Sequence, residues 1–196
     1  SFYFDTPFQS GSIFGMHSAK GETVTSTGWA GTVSAQAVDA LKITGGTVNH
    51  NDAFTVLVPT AAGGLGVTAT VVARTSMGST PSANQIHWHL TGNDLNKITN
   101  LKLAINGTSD TSKVKFGSGI TNGSTVGIKG LTAYAGVTST ESYASLAAAN
   151  AGTAGNDITI TDTVGTVLVN EGALTSNKLT GGEDDSANFQ VYLVKP

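Results

Sequence analysis

Two histidines separated by one residue are the side chains in this sequence best placed for chemistry. His87 and His89 flank Trp88. Residues two apart in a β-strand point to the same face, so the two imidazoles could chelate a transition metal if a third ligand joined them. The other histidines, His17 and His50, have no spacing that brings them near. We therefore expect two exposed or hydrogen-bonded histidines beside a core tryptophan, with no metal site and no cofactor.

Three consecutive carboxylates form a second candidate. Glu183, Asp184 and Asp185 directly follow a Gly-Gly pair, and such a turn could bind Ca²⁺ with help from backbone carbonyls. The turn lacks the alternating ligand spacing of an EF-hand loop, so we interpret it as a solvated acidic turn. Neither a Gly-x-Ser-x-Gly nucleophile motif nor a phosphate-binding Gly-x-x-x-x-Gly-Lys-Ser/Thr loop occurs. We nominate no catalytic residue and expect a non-enzymatic protein.

The elements that must position these residues are mainly β-strands. The chain has 196 residues, with 25 glycines and 4 prolines among many Thr, Val, Ile and Ala residues, as in short strands joined by turns. We predict an antiparallel β-sandwich or β-barrel-like domain with one short helix over residues 36–196. Residues 1–35 lack a sustained period and are predicted to form an extended N-terminal arm.

The charge pattern favours protein assembly and disfavours several other function classes. Charged residues make up 12% of the chain, about half the usual share, and an uncharged surface packs against neighbours without burying unpaired charge. The net charge is −3 without a basic cluster, so we expect no direct contact with nucleic acid. No apolar run reaches the roughly 18 residues of a membrane span, and we expect a soluble chain without a secretion signal. Cysteine is absent, which excludes disulfides and zinc–thiolate sites.

One segment has the apolar spacing of a helix, and several others read as strands. The helix is predicted to begin at Asp94 as N-cap and to end at Gly107. Its apolar stripe consists of Leu95, Ile98, Leu101 and Ile105. The predicted strands are 54–58, 67–72, 85–90, 113–116, 125–128, 131–135, 157–162, 164–169 and 189–194.

The N-terminal arm is rich in aromatic residues, which favours docking over exposure to water. The candidate assembly anchors are Phe2, Tyr3, Phe4, Phe8 and Phe14. Docking on a neighbouring subunit and folding back onto the chain's own domain both fit this pattern.

A tight turn is predicted where the sequence reads Ala-Gly-Thr-Ala-Gly-Asn at 151–156. Gly152 and Gly155 permit a positive φ angle. Asn156 tolerates the same region and can bond neighbouring backbone groups. We assign all three residues a structural role.

The order of several short segments resembles a module of tailed-phage virion proteins, especially those of marine phages. The matching pieces are a strand pair (54–72), a helix ending in Ala-Ile-Asn-Gly (94–107), a Leu-Thr-Ala strand (131–133), a Thr/Ala-rich strand (143–150), the turn at 151–156, an Ile-Thr strand (158–160) and Thr-Gly-Gly (180–182). The resemblance covers about two-thirds of the chain and implies no catalytic residues. It also implies a strand at 142–150, where the alanine content alone is typical of a helix. Residues 74–85 depart from the module as an insertion, which fits either a contact with a particular neighbour or a surface loop.

The resemblance implies a virion location, and our first hypothesis is a decoration or cement protein that stabilises the capsid. Its partners would be the major capsid protein or other virion proteins, with a homo-trimer expected by analogy. The alternative is a tail or fibre component, acting in tail assembly or binding a host-surface glycan through an exposed aromatic residue such as Trp88 or Tyr134. A polysaccharide-degrading enzyme is the weakest hypothesis, because no pair of catalytic carboxylates can be nominated.

Overall fold

Strands dominate the computed structural model, which describes residues 15–17, 23–25, 30–32, 34–43, 48–120, 127–137, 142–164, 178–184 and 186–188. In chain order the elements are β1 Gly15–His17, β2 Thr23–Thr25, β3 Ala30–Thr32, β4 Val38–Ile43, β5 Ala53–Leu57, β6 Thr68–Arg74, β7 Gln85–His89, α1 Asp94–Asn106, β8 Val114–Phe116, β9 Leu131–Val137, β10 Ser142–Ala148, β11 Thr159–Val164 and β12 Ser186–Asn188. Short 3₁₀ turns occupy Thr60–Ala62 and Thr153–Asp157. The predicted mainly β chain with one helix is confirmed.

A five-stranded sheet, here called the large sheet, has the strand order β11-β5-β6-β7-β8. Its neighbouring strands are antiparallel except β6 and β7, which run parallel with Thr70 opposite Gln85 and Arg74 opposite His89. The parallel pair departs from the all-antiparallel expectation, and it explains residues 75–84. These ten residues, here called the crossover, carry the chain from the end of β6 back to the start of β7.

One face of the large sheet forms half of the core. Alternate residues of each strand point to that face, and the apolar residues at these positions are buried. They are Phe54, Val56, Ala69, Val71, Ala73, Ile86, Trp88, Val114 and Ile160. The predicted hairpin of residues 54–58 and 67–72 is confirmed as the antiparallel pair β5–β6.

A three-stranded antiparallel sheet, here called the small sheet, has the order β4-β10-β9. Its inner face contributes Leu131, Ala133, Ala144, Leu146 and Ala148 to the same hydrophobic core. The strand predicted at 142–150 is confirmed as β10 over Ser142–Ala148. Pairing on both sides of β10 therefore overrides the helical propensity of its alanines.

The helix α1 packs against β7 and β8 of the large sheet and against β9 and β10 of the small sheet. Ile98, Leu101 and Ile105 are fully buried, whereas Leu95 at the start of the stripe is exposed. The N-cap is Asn93 and not Asp94, because the Asn93 side chain accepts the Asn96 amide proton at 3.0 Å. The helix ends as predicted before a glycine with positive φ. No helix in the described part of the chain is long and apolar enough to cross a bilayer.

Residues 30–38 pair with the C-terminal part of the described chain. Strand β3 pairs antiparallel with β12, and isolated bridges join Ala35 to Glu183, Val38 to Thr180 and Thr159 to Lys178. Strands β1 and β2 form a hairpin within the predicted N-terminal arm. The boundary expected after residue 35 therefore falls within a segment that is paired with the C-terminal part of the chain.

The remaining strand predictions have mixed outcomes. The strand at 113–116 is confirmed as β8, and that at 131–135 as the longer β9. The strand at 157–162 begins two residues later, at Thr159, because a 3₁₀ turn extends to Asp157. The strand predicted at 125–128 is wrong for residues 127–128, where the chain forms a bend before a turn and not a strand. Residues 125–126, 165–169 and 189–194 lie outside the described residues, so those predictions stay predictions.

Candidate functional site

His87 is a structural hydrogen-bonding residue on the outer face of the large sheet. It is 1% exposed, and its Nε2 lies 3.1 Å from Nη2 of Arg74. A guanidinium can only donate, so Nε2 must accept and the ring proton sits on Nδ1, 3.4 Å from the Ser79 hydroxyl. Burial, followed by the positive charges of Arg74 and Lys115, lowers the pKa of His87. The neutral ring thus ties the crossover to the sheet.

His89 and His50 both bond the backbone of Thr75, at the start of the crossover. The Nε2 atom of His89 lies 3.2 Å from the Thr75 carbonyl oxygen, and its Nδ1 lies 3.1 Å from that of Ser112. The Thr75 amide donates to Nδ1 of His50 at 3.1 Å. The sequence offered no reason to place His50 here. Within the described residues, no group of three or more His, Asp or Glu side chains is arranged to hold a metal ion.

Trp88 belongs to the core, as predicted from its position between His87 and His89. Its side chain is fully buried, and its indole nitrogen finds no hydrogen-bond partner in the described part of the chain. The expectation that Trp88 could serve as an exposed platform for a glycan is therefore wrong. Alternation along β7 explains the result, because Trp88 shares its face with buried Ile86.

The acidic turn acts as a cap for the second 3₁₀ turn. Both carboxylate oxygens of Asp184 are engaged by Thr153, whose amide donates at 2.8 Å and whose hydroxyl donates at 2.7 Å. These hydrogen bonds lower the pKa of Asp184. Glu183 is exposed and Asp185 lies outside the described residues. Asp184 thus joins the acidic turn to the second 3₁₀ turn through two hydrogen bonds.

The predicted glycine turn is built differently from expectation at two of its three positions. Gly152 has a φ of 125°, as predicted. Gly155 does not have a positive φ; a Cβ there would lie 2.9 Å from Cβ of Ala148 and 3.0 Å from Cβ of Ala37. A glycine is therefore required at 155 by close packing, a constraint that only the tertiary structure reveals.

Asn156 bonds a distant segment and not its neighbours. Its side-chain amide donates to the Gly182 carbonyl at 2.9 Å, and its Oδ1 accepts the Gly182 amide proton at 2.8 Å. A side-chain amide carries the same donor and acceptor as a peptide group, so Asn156 pairs with Gly182 as a strand residue would. We call this pair of bonds the Asn156 bridge.

A second bridge of the same kind joins the helix to the small sheet. Asn106, the last residue of α1, donates to the Ala133 carbonyl and accepts the Ala133 amide proton, each at 2.7 Å. Ala133 lies in β9, an edge strand of the small sheet. Asn106 therefore occupies the position of a further strand at that edge, and we call this pair of bonds the Asn106 bridge. The sequence predicted Asn106 only as the end of a helix.

The outer face of the small sheet carries the most exposed aromatic side chain among the described residues. Tyr134 is 59% exposed and lies opposite Ser145 in β10. Tyr143 lies two residues before Ser145, so the two tyrosines are diagonal neighbours on this face. Alternation in β9 and β10 places the two tyrosines on one face, although the sequence pattern indicates only Tyr134 as an exposed aromatic residue. The register places Lys42 of β4 directly opposite Tyr143, so this face also includes a charged position.

A shallow apolar depression lies at the other end of the core. Its lining comprises Val58, Leu65, Val67, Ala69, Ile120, Ile128 and Lys129. It has room for about one water molecule. That space is too small for an aromatic ring, so the depression is a weaker candidate than the outer face of the small sheet.

The candidate assembly anchors Phe2, Tyr3, Phe4, Phe8 and Phe14 lie outside the described residues. Comparisons of the chain with protein-family models, curated proteins and solved structures found no match. The two asparagine bridges and the outer face of the small sheet are the features that bear on the function of the chain.

Proposed function

We propose that this chain is a non-enzymatic structural protein of a tailed-phage virion, acting as a capsid decoration subunit that binds the assembled shell. The observation that carries the proposal is that the short segments on which the resemblance rests bond to one another. Asn106 of the Ala-Ile-Asn-Gly segment bonds Ala133 of the Leu-Thr-Ala strand. Asn156 of the glycine turn bonds Gly182 of the Thr-Gly-Gly segment. Segments that bond in pairs give a physical reason for their occurring together in one module.

The two side chains that were the best candidates for chemistry, those of His87 and Asp184, also support a structural role. His87 is held by Arg74, and Asp184 is held by Thr153. Each side chain is engaged by hydrogen-bond partners within the chain itself. This use of polar groups suits a subunit whose task is to keep its shape under load.

The proposed action of the protein is thermodynamic. A subunit that binds the assembled shell but not its separated parts stabilises the shell by mass action. Many copies with weak contacts add their effects through multivalency, and a trimer would bring three contacts together. The five aromatic residues within residues 2–14 would anchor the subunit to the major capsid protein or another virion protein.

Cryo-electron microscopy of the intact particle tests the location. We expect density that fits the two sheets and helix α1 at regular positions over the capsid lattice. Density confined to the tail would replace the decoration role with tail assembly or host attachment. Failure to find the chain in the particle would refute the virion proposal itself.

A binding experiment tests the anchor. Deletion of residues 1–14 removes all five candidate anchors and spares β1, β2 and β3. We expect this variant to fold but to lose binding to particles that lack the protein. A matched variant with the five aromatic residues changed to serine keeps the full length of the segment. It should also lose binding, because the aromatic side chains make the proposed contact. Unchanged binding of either variant would exclude the anchor role.

A further inference from the structure

We propose that the Asn106–Gly107 sequence is a covalent modification site, at which the asparagine loses ammonia only while the Asn106 bridge is open. Asparagine is a thermolabile residue, and a following glycine leaves its amide nitrogen unobstructed by a side chain. The closed bridge blocks the reaction, and the product cannot re-form the bridge. The proposal does not depend on a virion role, so its failure would leave the decoration role intact.

The reaction uses only groups of the chain and water. The Gly107 amide nitrogen attacks Cγ of Asn106, so that a new C–N bond closes a five-membered succinimide ring. The bond from Cγ to Nδ2 breaks, and the leaving nitrogen takes up the Gly107 amide proton and departs as ammonia. Water then opens the ring at either of its two carbonyl groups. No oxidant or reductant is needed.

Three hydrogen bonds hold both reacting groups in the closed state, and this is the first support. The leaving group, Nδ2 of Asn106, donates to the Ala133 carbonyl at 2.7 Å, and Oδ1 accepts the Ala133 amide proton at 2.7 Å. The nucleophile, the Gly107 amide, donates its proton to the Leu103 carbonyl at 2.8 Å. Ring closure removes that proton and expels Nδ2, so these bonds must break first. Each contributes about a factor of five, and together they should slow the reaction about a hundredfold.

The packing of Gly127 against the reacting peptide bond is the second support. A Cβ at Gly127 would lie 2.5 Å from the Gly107 nitrogen and 2.8 Å from the carbonyl carbon of Asn106. The next residue, Ile128, donates its amide proton to the Ile105 carbonyl at 2.8 Å, which fixes the segment against the end of α1. The backbone at 127–128 therefore covers the attacking nitrogen, and interiors packed this closely leave little room for a new ring.

The products cannot restore the bridge, so the modification runs in one direction. An aspartate at position 106 sets a carboxylate oxygen against the Ala133 carbonyl oxygen, where Nδ2 donates in the unmodified chain. An isoaspartate adds one carbon to the backbone and shifts the end of the helix relative to β9. Either product also places a negative charge at the C-terminal end of α1, where the helix dipole disfavours an anion. Each opening of the bridge can therefore cost the helix its link to the small sheet permanently.

The experiment ages the full chain at mildly alkaline pH, in buffer and in concentrated urea, and follows deamidation by peptide mapping and mass spectrometry. Trypsin releases residues 103–113 and 116–129, each with a single asparagine, Asn106 or Asn122, that precedes a glycine. In urea the two sites should react at similar rates, which gives the intrinsic rate of the Asn-Gly sequence. In buffer we expect Asn106 to react about a hundredfold more slowly than it does in urea.

A glycine variant tests the gate, and the aged protein tests the consequence. Gly127→Ala should push the backbone away from Gly107 and raise the rate at Asn106 in buffer about fivefold or more. Gly78→Ala is the matched control and should leave that rate unchanged, and circular dichroism verifies that both variants are folded. Anion exchange separates chains modified at Asn106 by their added negative charge, and these should unfold at a lower urea concentration than unmodified chains.

Three results would overturn the proposal. Absence of deamidation at Asn106 in urea would remove the site itself. Equal rates at Asn106 in buffer and in urea, or in folded Gly127→Ala and Gly78→Ala, would remove the gate. Equal urea midpoints for modified and unmodified chains would show that the bridge survives the modification. If Gly127→Ala does not fold, the comparison of buffer with urea and the midpoints of the modified chains still decide.

Discussion

Removing the Asn106 bridge should destabilise the protein well beyond the loss of one surface side chain. In Asn106→Ala the amide and carbonyl of Ala133 both lose their partner, and Ala133 itself is fully buried. An unsatisfied buried polar group costs about 1–3 kcal/mol. Asn106 is only half-buried, so water can reach part of the vacated position. We therefore expect a loss of about 2–4 kcal/mol in the free energy of unfolding.

The matched control is Asn96→Ala in the same helix. Asn96 is exposed, and the substitution makes the same change in helix propensity without touching the bridge. Urea unfolding of both variants, followed by far-ultraviolet circular dichroism, gives the two free energies. Subtracting the control value isolates the bridge. A difference below about 0.5 kcal/mol would refute the reasoning, because surface substitutions commonly fall within that range.

Asn106→Asp refines the test with a change of one atom. The carboxylate can still accept the Ala133 amide proton, but its second oxygen then faces the Ala133 carbonyl oxygen. We expect destabilisation at neutral pH that is partly relieved when the carboxyl group becomes protonated. The unfolding midpoint as a function of pH measures this relief. A pH-independent loss would contradict the predicted contact, because protonation removes the charge and also supplies an O–H donor for the Ala133 carbonyl.

Three further predictions follow from other contacts. Because the pKa of His87 is lowered in the folded state, the unfolded chain takes up a proton first as the pH falls, and the free energy of unfolding should decline from about pH 6.5 downwards. His87→Gln should reduce that decline, measured as the urea midpoint at each pH. An unchanged pH dependence would contradict the assignment. Gly155→Ala should cost about 1–3 kcal/mol through overpacking. Gly78→Ala should be nearly neutral, because its added Cβ would meet only Oγ of Ser76, at an ordinary contact distance of 3.7 Å. Equal melting temperatures would count against the close packing. Ile98→Ala should cost about 2–5 kcal/mol by leaving a cavity, and Leu95→Ala under about 0.5 kcal/mol, both from urea unfolding; similar losses would mean that the helix face is misassigned.

Patterns with a short period in the sequence predicted the local structure well. The apolar spacing of α1 located the helix and most of its buried stripe, and the alternation of Phe54 and Val56 located β5. The predicted N-cap, Asp94, lies one residue after the observed N-cap, Asn93; both are good capping residues. Period alone cannot decide between two adjacent caps, because the choice depends on the backbone angles of each.

Contacts between distant residues could not be predicted from these patterns. The parallel pairing of β6 and β7 depends on the path of the crossover, which has no helix to signal a return. The partners of Asn106 and Asn156 lie 27 and 26 residues away. The hydrogen-bonding capacity of an asparagine is visible in the sequence, but its partner is not. For the outer face of the small sheet, the sequence indicated Tyr134 as an exposed aromatic residue but did not indicate its neighbour Tyr143.

The pairing of residues 30–38 with the C-terminal part of the described chain sets the order of events during synthesis. Strand β4 needs β10, and the bridges of Ala35 and Val38 need residues 180–183. These contacts span more than a hundred residues, and loops of that length close late and slow the folding of a chain. The small sheet therefore cannot be completed until β10, which ends at Ala148, has left the ribosome. Until then the β4 edge stays unpaired, and the nascent chain would depend on rapid completion or on a chaperone to avoid pairing with other copies.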